Sequence, residues 1–346
     1  MDGTIPSSYT TDDEKFPLKG LKYLASTGLT GLSVPTEYGG FGAGIEHNST
    51  QLLEKLKEFG AYDLSLGRIF EGHINAMLLV SRFGSESQKS KYFIEAIDGK
   101  LFGIWNSELP SERLRFEQNG ETYVFQGAKT FCSGAKHIER PIVTAEGPDG
   151  SYMVLLHLDE YDVEEDFTYW RPMGMKSSVS CRFDFSGKNF EEGQIVGKAY
   201  NYVAEPDFSG GAARFAAVQL GGAEAALRAT FKHLKDMERT DATEQVSRLA
   251  RLSILRETGN LWLSEMGKVM DRRYKSPSEC VRYANMFRTV VREICEETLQ
   301  LCELSVGLQG MIAAHPLERI HRDLSVYLKQ PGPDRVLQQI GSTFKI

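Results

Sequence analysis

The chain has 346 residues, 41% of them hydrophobic and 25% charged, with a formal net charge of -7 and a pI near 5.6. That length supports two or three domains with buried cores. The acidic balance excludes a protein that works by presenting a broadly basic surface to nucleic acid or to an anionic membrane. No apolar run approaches the ~20 residues of a membrane-spanning helix, and Met1–Phe16 lacks the basic and apolar regions of a secretory signal. Five scattered cysteines, with no Cys-x-x-Cys pair, predict reduced thiols in a cytoplasmic protein and no metal site.

The first hundred residues read as short helices. One runs over 19–27, with Leu21, Leu24 and Ala25 on a shared face; others run over 49–59, 65–82 and 86–97, with Gly84 closing the third. The glycine-rich stretch Gly28–Gly44 between them must be loop or turn. From Leu101 to about Tyr200 the pattern becomes short β-branched and aromatic runs, at 122–126, 142–145 and 152–156, separated by glycine-bearing turns. Arg182-Phe183-Asp184-Phe185 alternates as a half-buried strand does.

After Pro206 the chain is helical. Helices are predicted over 208–237, 243–270 and 278–306. The second carries an apolar seam of Leu252, Leu255, Gly259, Trp262 and Met266, and the third one of Phe287, Val291, Ile294, Thr298 and Leu301. Pro277 opens its helix, and Pro331 with Pro333 is expected to close the final one. The fold class is therefore α+β multidomain. An N-terminal helical domain (1–100) precedes a middle, barrel-like β-domain (101–200) and a C-terminal four-helix bundle (201–346).

Six segments, in order and spacing, carry a resemblance: GLTGLSVPTEYGGFGAG, RFGSESQKSKYFIEAIDGK, TFCSGAKH, MGMKSSVS, FAAVQLGGAEAAL and HPLERIHRD. Together they resemble the acyl-CoA dehydrogenase family over nearly the whole chain. The resemblance implies FAD as cofactor, its isoalloxazine between the β-domain and the bundle. Ser107-Glu108, in the GIWNSELP segment with Trp105, matches the family's Thr-Glu pair opposite the flavin. Phe131-Cys132-Ser133-Gly134 matches its Trp-Ile-Thr-Asn strand, so that Phe131 supplies an aromatic face and Ser133 a hydroxyl near flavin N5. Arg239, in a blurred Arg-x-Thr-Phe-Gly motif, is the phosphate candidate. Gln245 stands for the glutamine that follows, and Gly307 is what remains of Gln-x-x-Gly-Gly. Trp105, Ser107, Phe131, Ser133, Arg239 and Gly307 are thus the cofactor-binding candidates.

The same alignment leaves the catalytic residue unassigned. Acyl-CoA dehydrogenation needs a carboxylate within reach of the substrate's α-proton. The family's glutamate position falls on Pro331, and an alternative one on Gly211. Asp334, Glu205 and Asp207 are the neighbouring carboxylates. Pro110-Ser111-Glu112-Arg113-Leu114 replaces the family's Gly-x-Gly-Ser-Asp loop, which puts acyl-CoA itself in question. His73 is expected to pack or cap, His315 to start a helix, Glu108 to orient a loop, and Arg319, Arg322 and Asp323 to tie helices together.

The function implied is an FAD-dependent oxidoreductase acting on an acyl thioester or related small molecule through a non-standard base. The alternatives are a flavin monooxygenase of the same fold, with which the Trp170–Met175 stretch is compatible, and a non-catalytic binding or assembly subunit. A homodimer or homotetramer is implied, as is an electron-transfer or flavin-reductase partner.

Overall fold

The computed structural model describes residues 15–330 and 332–342. The described residues form two compact units, one drawn from 15–48, 69–171 and 176–208 and the other from 49–68, 172–175, 209–330 and 332–342.

In the first unit, α1 (Leu18–Ser26) buries Leu21 and Leu24 and leads into the glycine-rich turns. The unit also takes most of α3 (Leu64–Phe83) and all of α4 (Glu86–Ile97). The start of α4 is fixed by a reciprocal cap: Ser85 Oγ accepts the Gln88 N–H, and the Gln88 side chain accepts the Ser85 N–H. Strands β1 (Phe102–Trp105), β2 (Arg115–Asn119), β3 (Thr122–Gln126), β5 (Arg140–Gly147), β6 (Gly150–Leu155), β8 (Asn189–Phe190) and β9 (Ile195–Val196) form one sheet in the order β8-β3-β2-β5-β6-β9, with β1 parallel to β5. Strands β4 (Ala128–Cys132) and β7 (Cys181–Asp184) pair separately.

The expectation of a barrel-like domain is corrected here, because among the described residues no barrel closes. The end strands β8 and β9 have two residues each, too few to carry a closing ladder, and β4 pairs only with β7. One face of the sheet packs on α3 and α4 through Met77, Val80, Phe93, Phe102, Ile142 and Met153, all fully buried.

His73 lies inside this core with no exposed surface. Its Nε2 donates to the Thr30 carbonyl at 2.7 Å and its Nδ1 accepts the Phe102 N–H at 3.1 Å, so one neutral ring joins the glycine-rich segment to β1. Burial outweighs the Thr30 hydrogen bond and pulls its pKa down from 6.5 to about 4. Between those values the unfolded chain binds a proton that the folded chain refuses. Acidification from pH 6.5 to pH 4 should therefore cost about 3 kcal/mol of stability. His73→Gln, which cannot titrate, should lose correspondingly less over that window in urea denaturation, whatever its stability at pH 7. Equal losses would show that the ring is not held neutral.

The second unit contains α2 (Ser49–Tyr62), most of α5 (Asp207–Asp236), α6 (Thr243–Asp271), α7 (Pro277–Val306), α8 (Pro316–Tyr327) and α9 (Pro333–Ser342). The predicted seams are the packed faces: Leu252, Leu255, Gly259 and Met266 of α6 and Phe287, Val291, Ile294 and Thr298 of α7 are all buried. Trp262 and Leu301 are half-buried. Helices α2 and α5 cross at backbone contact, where Gly60 faces the Val218 carbonyl and Gly221 faces the Lys57 carbonyl. One predicted stop is reversed: Pro333 opens α9, because a helix's first turn has no use for the N–H that proline lacks. Its companion Pro331 lies outside the described residues.

Arg319 reaches Asp63, at the junction of α2 and α3, at 2.8 Å and so ties α8 to that junction, whereas its 3.3 Å pair with Asp323 and the Arg322–Glu318 pair lie within α8. The five cysteines are buried thiols outside any disulfide. No described helix is long and apolar enough to cross a membrane.

Candidate functional site

In the first unit the decisive local feature is an irregularity in β4. Lys129 pairs with Phe183 and Cys132 with Cys181, so three steps along β4 match two along β7. The surplus residue forms a bulge, which re-aims a side chain. Phe131 takes a φ of 53°, and its ring is 53% exposed while Thr130 and Cys132 on either side are buried. The Trp170 ring meets it edge-on at 6.1 Å.

Two residues further on, Ser133 Oγ lies 2.9 Å from Ser180 Oγ, which lies 2.9 Å from Ser178 Oγ. Trp105 is 1% exposed and stacks on Phe183 at 5.2 Å. Its indole N–H donates to the Ser133 carbonyl at 3.2 Å, so Trp105 supports this surface from beneath. Ser107 is exposed, and its carbonyl accepts the Thr130 N–H at 2.8 Å. The four middle-domain candidates are therefore neighbours along two joined segments.

Underneath runs a polar network that sequence reasoning missed. Lys129 is 1% exposed, and its Nζ donates to Glu108 Oε2 at 2.5 Å, to Thr144 Oγ1 at 3.0 Å and to the Asn106 carbonyl at 3.3 Å. Thr144 Oγ1 in turn donates to Asn106 Oδ1 at 2.8 Å. Burial lowers the Lys129 pKa, with Glu108 opposing. Glu108 also accepts the Leu114 N–H, so it anchors the loop Pro110–Leu114. A lysine between Ala128 and Thr130 in a short strand-like run was the available signal.

In the second unit Arg239 is exposed in the turn between α5 and α6. Gly307 ends α7 with φ 72° and ψ -156°, a conformation suited to glycine, and nothing stands within 4 Å of where a Cβ would be. Gln245 Nε2 donates to the Ser305 carbonyl at 3.3 Å and Arg248 Nη1 to the Leu304 carbonyl at 2.8 Å, which ties the start of α6 to the end of α7. Arg239 and Gly307 thus share one end of this unit. Gln245 Oε1 and Ser305 Oγ are buried there without a hydrogen-bond partner among the described residues. His315 caps α8 by accepting the Leu317 N–H and lies 3.3 Å from His233 Nδ1; burial, then His233, lowers its pKa.

The acyl-CoA dehydrogenase N-terminal domain model matches residues 5–100 of this chain, and the C-terminal domain model matches residues 201–342. The chain belongs to the acyl-CoA dehydrogenase family. Among curated proteins, the mitochondrial isobutyryl-CoA dehydrogenase of Dictyostelium discoideum is 22% identical, over 95% of this chain and 82% of that protein. Among solved structures, butyryl-CoA dehydrogenase from Megasphaera elsdenii superposes with a TM-score of 0.85 at 19% identity, covering 95% of this chain and 90% of that one. TdsC from Paenibacillus sp. A11-2, a dibenzothiophene monooxygenase solved with FMN and indole, gives 0.85 at 18% identity with the same coverage.

Against the acyl-CoA dehydrogenase pattern, Gly211 is a half-buried position on α5 without a carboxylate. The other base position, Pro331, lies outside the described residues. Asp207 heads α5 and lies 3.7 Å from Arg82 Nε, and Asp334 is exposed in the first turn of α9. The segment Pro172–Met175 is seated on α8: Arg322 Nη1 donates to the Met173 carbonyl at 2.8 Å and Asp323 accepts the Met175 N–H.

Proposed function

We propose that this acyl-CoA dehydrogenase family member is an FAD-dependent oxidoreductase that acts on an acyl thioester or a related small molecule through a non-standard base. The observation that carries this reading is the Phe131 ring, turned outward by the β4 bulge beside the Ser133 hydroxyl. An exposed aromatic face next to a hydroxyl suits a flat ring with polar edges. Phe131, Ser133 and the Ser107 backbone would hold the flavin ring. In the second unit Arg239 is the cation proposed for a phosphate group, with Gln245 and Gly307 at the same end of that unit. The flavin, when bound, supplies hydride acceptance.

The purified protein should be yellow and retain FAD. Phe131→Ala should weaken FAD binding about tenfold, the worth of one stacking contact, with helix content unchanged by circular dichroism. A colourless protein that takes up neither FAD nor FMN would remove the proposal.

The lack of a carboxylate at Gly211 favours a second reading, a monooxygenase of the same fold, because oxygen chemistry on a supplied reduced flavin needs no α-proton base. Bleaching of the visible flavin band by an acyl thioester without oxygen supports the dehydrogenase. Substrate-dependent oxygen uptake with supplied reduced flavin supports the monooxygenase, which would require a flavin-reductase partner. Retained flavin with neither response would leave a non-catalytic subunit. Val246, Ile254 and Leu261 are exposed along α6 and support association of copies into a dimer or tetramer. Five buried cysteines kept as thiols fit a reducing, cytoplasmic setting.

A further inference from the structure

We propose that Ser180 is a positioning residue for the flavin: it fixes the direction of the Ser133 hydroxyl, and Ser178 steadies Ser180 in turn. The assignment rests on the flavin reading, and it gives Ser133 the partner that decides which way its proton points. Ser133 is half-buried beside Phe131, whereas Ser180 is 3% exposed and Ser178 1%. The chain of hydroxyls therefore runs from the surface inward, with 2.9 Å between Ser133 Oγ and Ser180 Oγ and 2.9 Å between Ser180 Oγ and Ser178 Oγ.

The backbone bends on both sides of the Cys132–Cys181 pair to bring these hydroxyls together. On β4 the Ser133 N–H donates back to the Phe131 carbonyl at 2.8 Å, and on the facing segment the Cys181 N–H donates back to the Val179 carbonyl at 3.1 Å. Phe131 has a φ of 53° and Val179 one of 41°. Such an angle is unfavourable for any side chain and most of all for a β-branched one. Angles of this kind persist where the surroundings hold them, and they cluster at ligand sites. The Gly134 N–H donates to the Ser178 carbonyl at 2.8 Å, which fastens the two segments to each other. The Ser133 carbonyl is taken by the Trp105 indole N–H. With its N–H and its carbonyl both engaged, the hydroxyl is what Ser133 can offer a ligand.

A serine hydroxyl has one proton to give and two lone pairs to accept with. Among the described residues the Ser180 hydroxyl is partnered by Ser133 and Ser178. Its single proton goes to one of them, and it accepts from the other. When Ser180 donates to Ser133, the Ser133 proton is turned to the ligand; when Ser133 donates to Ser180, Ser133 presents lone pairs. The two senses differ in hydrogen positions alone. One hydroxyl can thus meet the polar edge of a flavin as an acceptor in its oxidised form and as a donor in its reduced form. Without Ser180 the Ser133 hydroxyl would turn freely, and bound flavin would bear the cost of fixing it.

Titration of FAD into the full chain tests this, in the parent, Ser180→Ala, Ser133→Ala and the double variant. Each single substitution should raise the FAD Kd about fivefold, the worth of one hydrogen bond. The double variant should bind no more weakly than Ser133→Ala alone, because Ser180 acts through Ser133. The visible band of bound FAD in Ser180→Ala should match that in Ser133→Ala and differ from the parent's, a signature that loosened packing would not give. Should Ser180→Ala fail to fold, Ser178→Ala enters the same cycle, with a smaller rise in Kd that also vanishes when Ser133 is alanine. If Ser180→Ala binds as the parent does, or raises the Kd by the same factor with and without the Ser133 hydroxyl, the assignment is overturned while the flavin reading stands. A parent that binds neither FAD nor FMN overturns the flavin reading and this assignment with it.

Discussion

Gly221→Ala should lower the unfolding free energy by about 3 kcal/mol, although the same exchange in an open helix stabilises by up to about 1 kcal/mol. The sign changes because of what the added methyl would meet. A Cβ at Gly221 would lie 2.0 Å from the Lys57 carbonyl oxygen and 2.6 Å from the Ala61 nitrogen. Both are backbone atoms of α2, which cannot swing aside as a side chain would. Gly60, on the other side of the crossing, would put a Cβ 2.1 Å from the Val218 carbonyl oxygen. Either substitution must push the two helices apart, so the double variant should cost less than the sum of the singles. Gly211, on the same α5, is the control: its Cβ would meet only Arg214 Nη2, at 3.8 Å. Gly211→Ala should therefore stabilise by about 0.5 to 1 kcal/mol. Urea denaturation of the three variants decides the matter, and destabilisation of equal size at 211 and 221 would refute the close-crossing account.

Glu108→Ala should destabilise by about 3 kcal/mol, because it leaves a buried ammonium short of its counter-charge. Lys129 keeps the Asn106 carbonyl and the Thr144 hydroxyl, but neither is charged. Glu108→Gln should cost less, since its amide oxygen can still accept. Adding Lys129→Met to Glu108→Ala should recover part of the loss by removing the stranded charge. The loop from Ser107 to Leu114 hangs on this carboxylate through the Leu114 N–H, and the Thr130 N–H fixes the Ser107 carbonyl from the other side. FAD affinity should therefore fall in Glu108→Ala by more than in Glu108→Gln. If both variants unfold and bind flavin as the parent does, the Lys129 network has no positioning role.

The helices were legible because their ends and seams are written in local chemistry. Pro277 opens α7, Gly84 follows α3, and the α6 and α7 seams recur at heptad spacing on faces that are buried. The reading failed where one residue type serves two opposite purposes. Pro333 can end one helix or begin the next, and only the path of the chain decides. The barrel expectation failed because strand content does not specify which edges meet, and edges of two residues cannot meet.

Within the candidate site, the match of Phe131 and Ser133 to a family strand located a surface, but not the extra residue that exposes it. A bulge is a mismatch between two strands, and β4 alone cannot show it. Lys129 and Glu108 stand 21 positions apart, and what joins them is the folding of β4 beside the segment that follows β1.

The outward turn of Phe131 has a consequence for the stability of the protein as well as for its chemistry. Before any ligand arrives, the folded chain already carries an unfavourable backbone angle and an aromatic ring in water. A flat molecule laid across the ring, as proposed for the flavin, would remove the second cost and would favour the folded form. If the proposed flavin lies there, supplying it should raise the unfolding midpoint of the parent by more than that of Phe131→Ala.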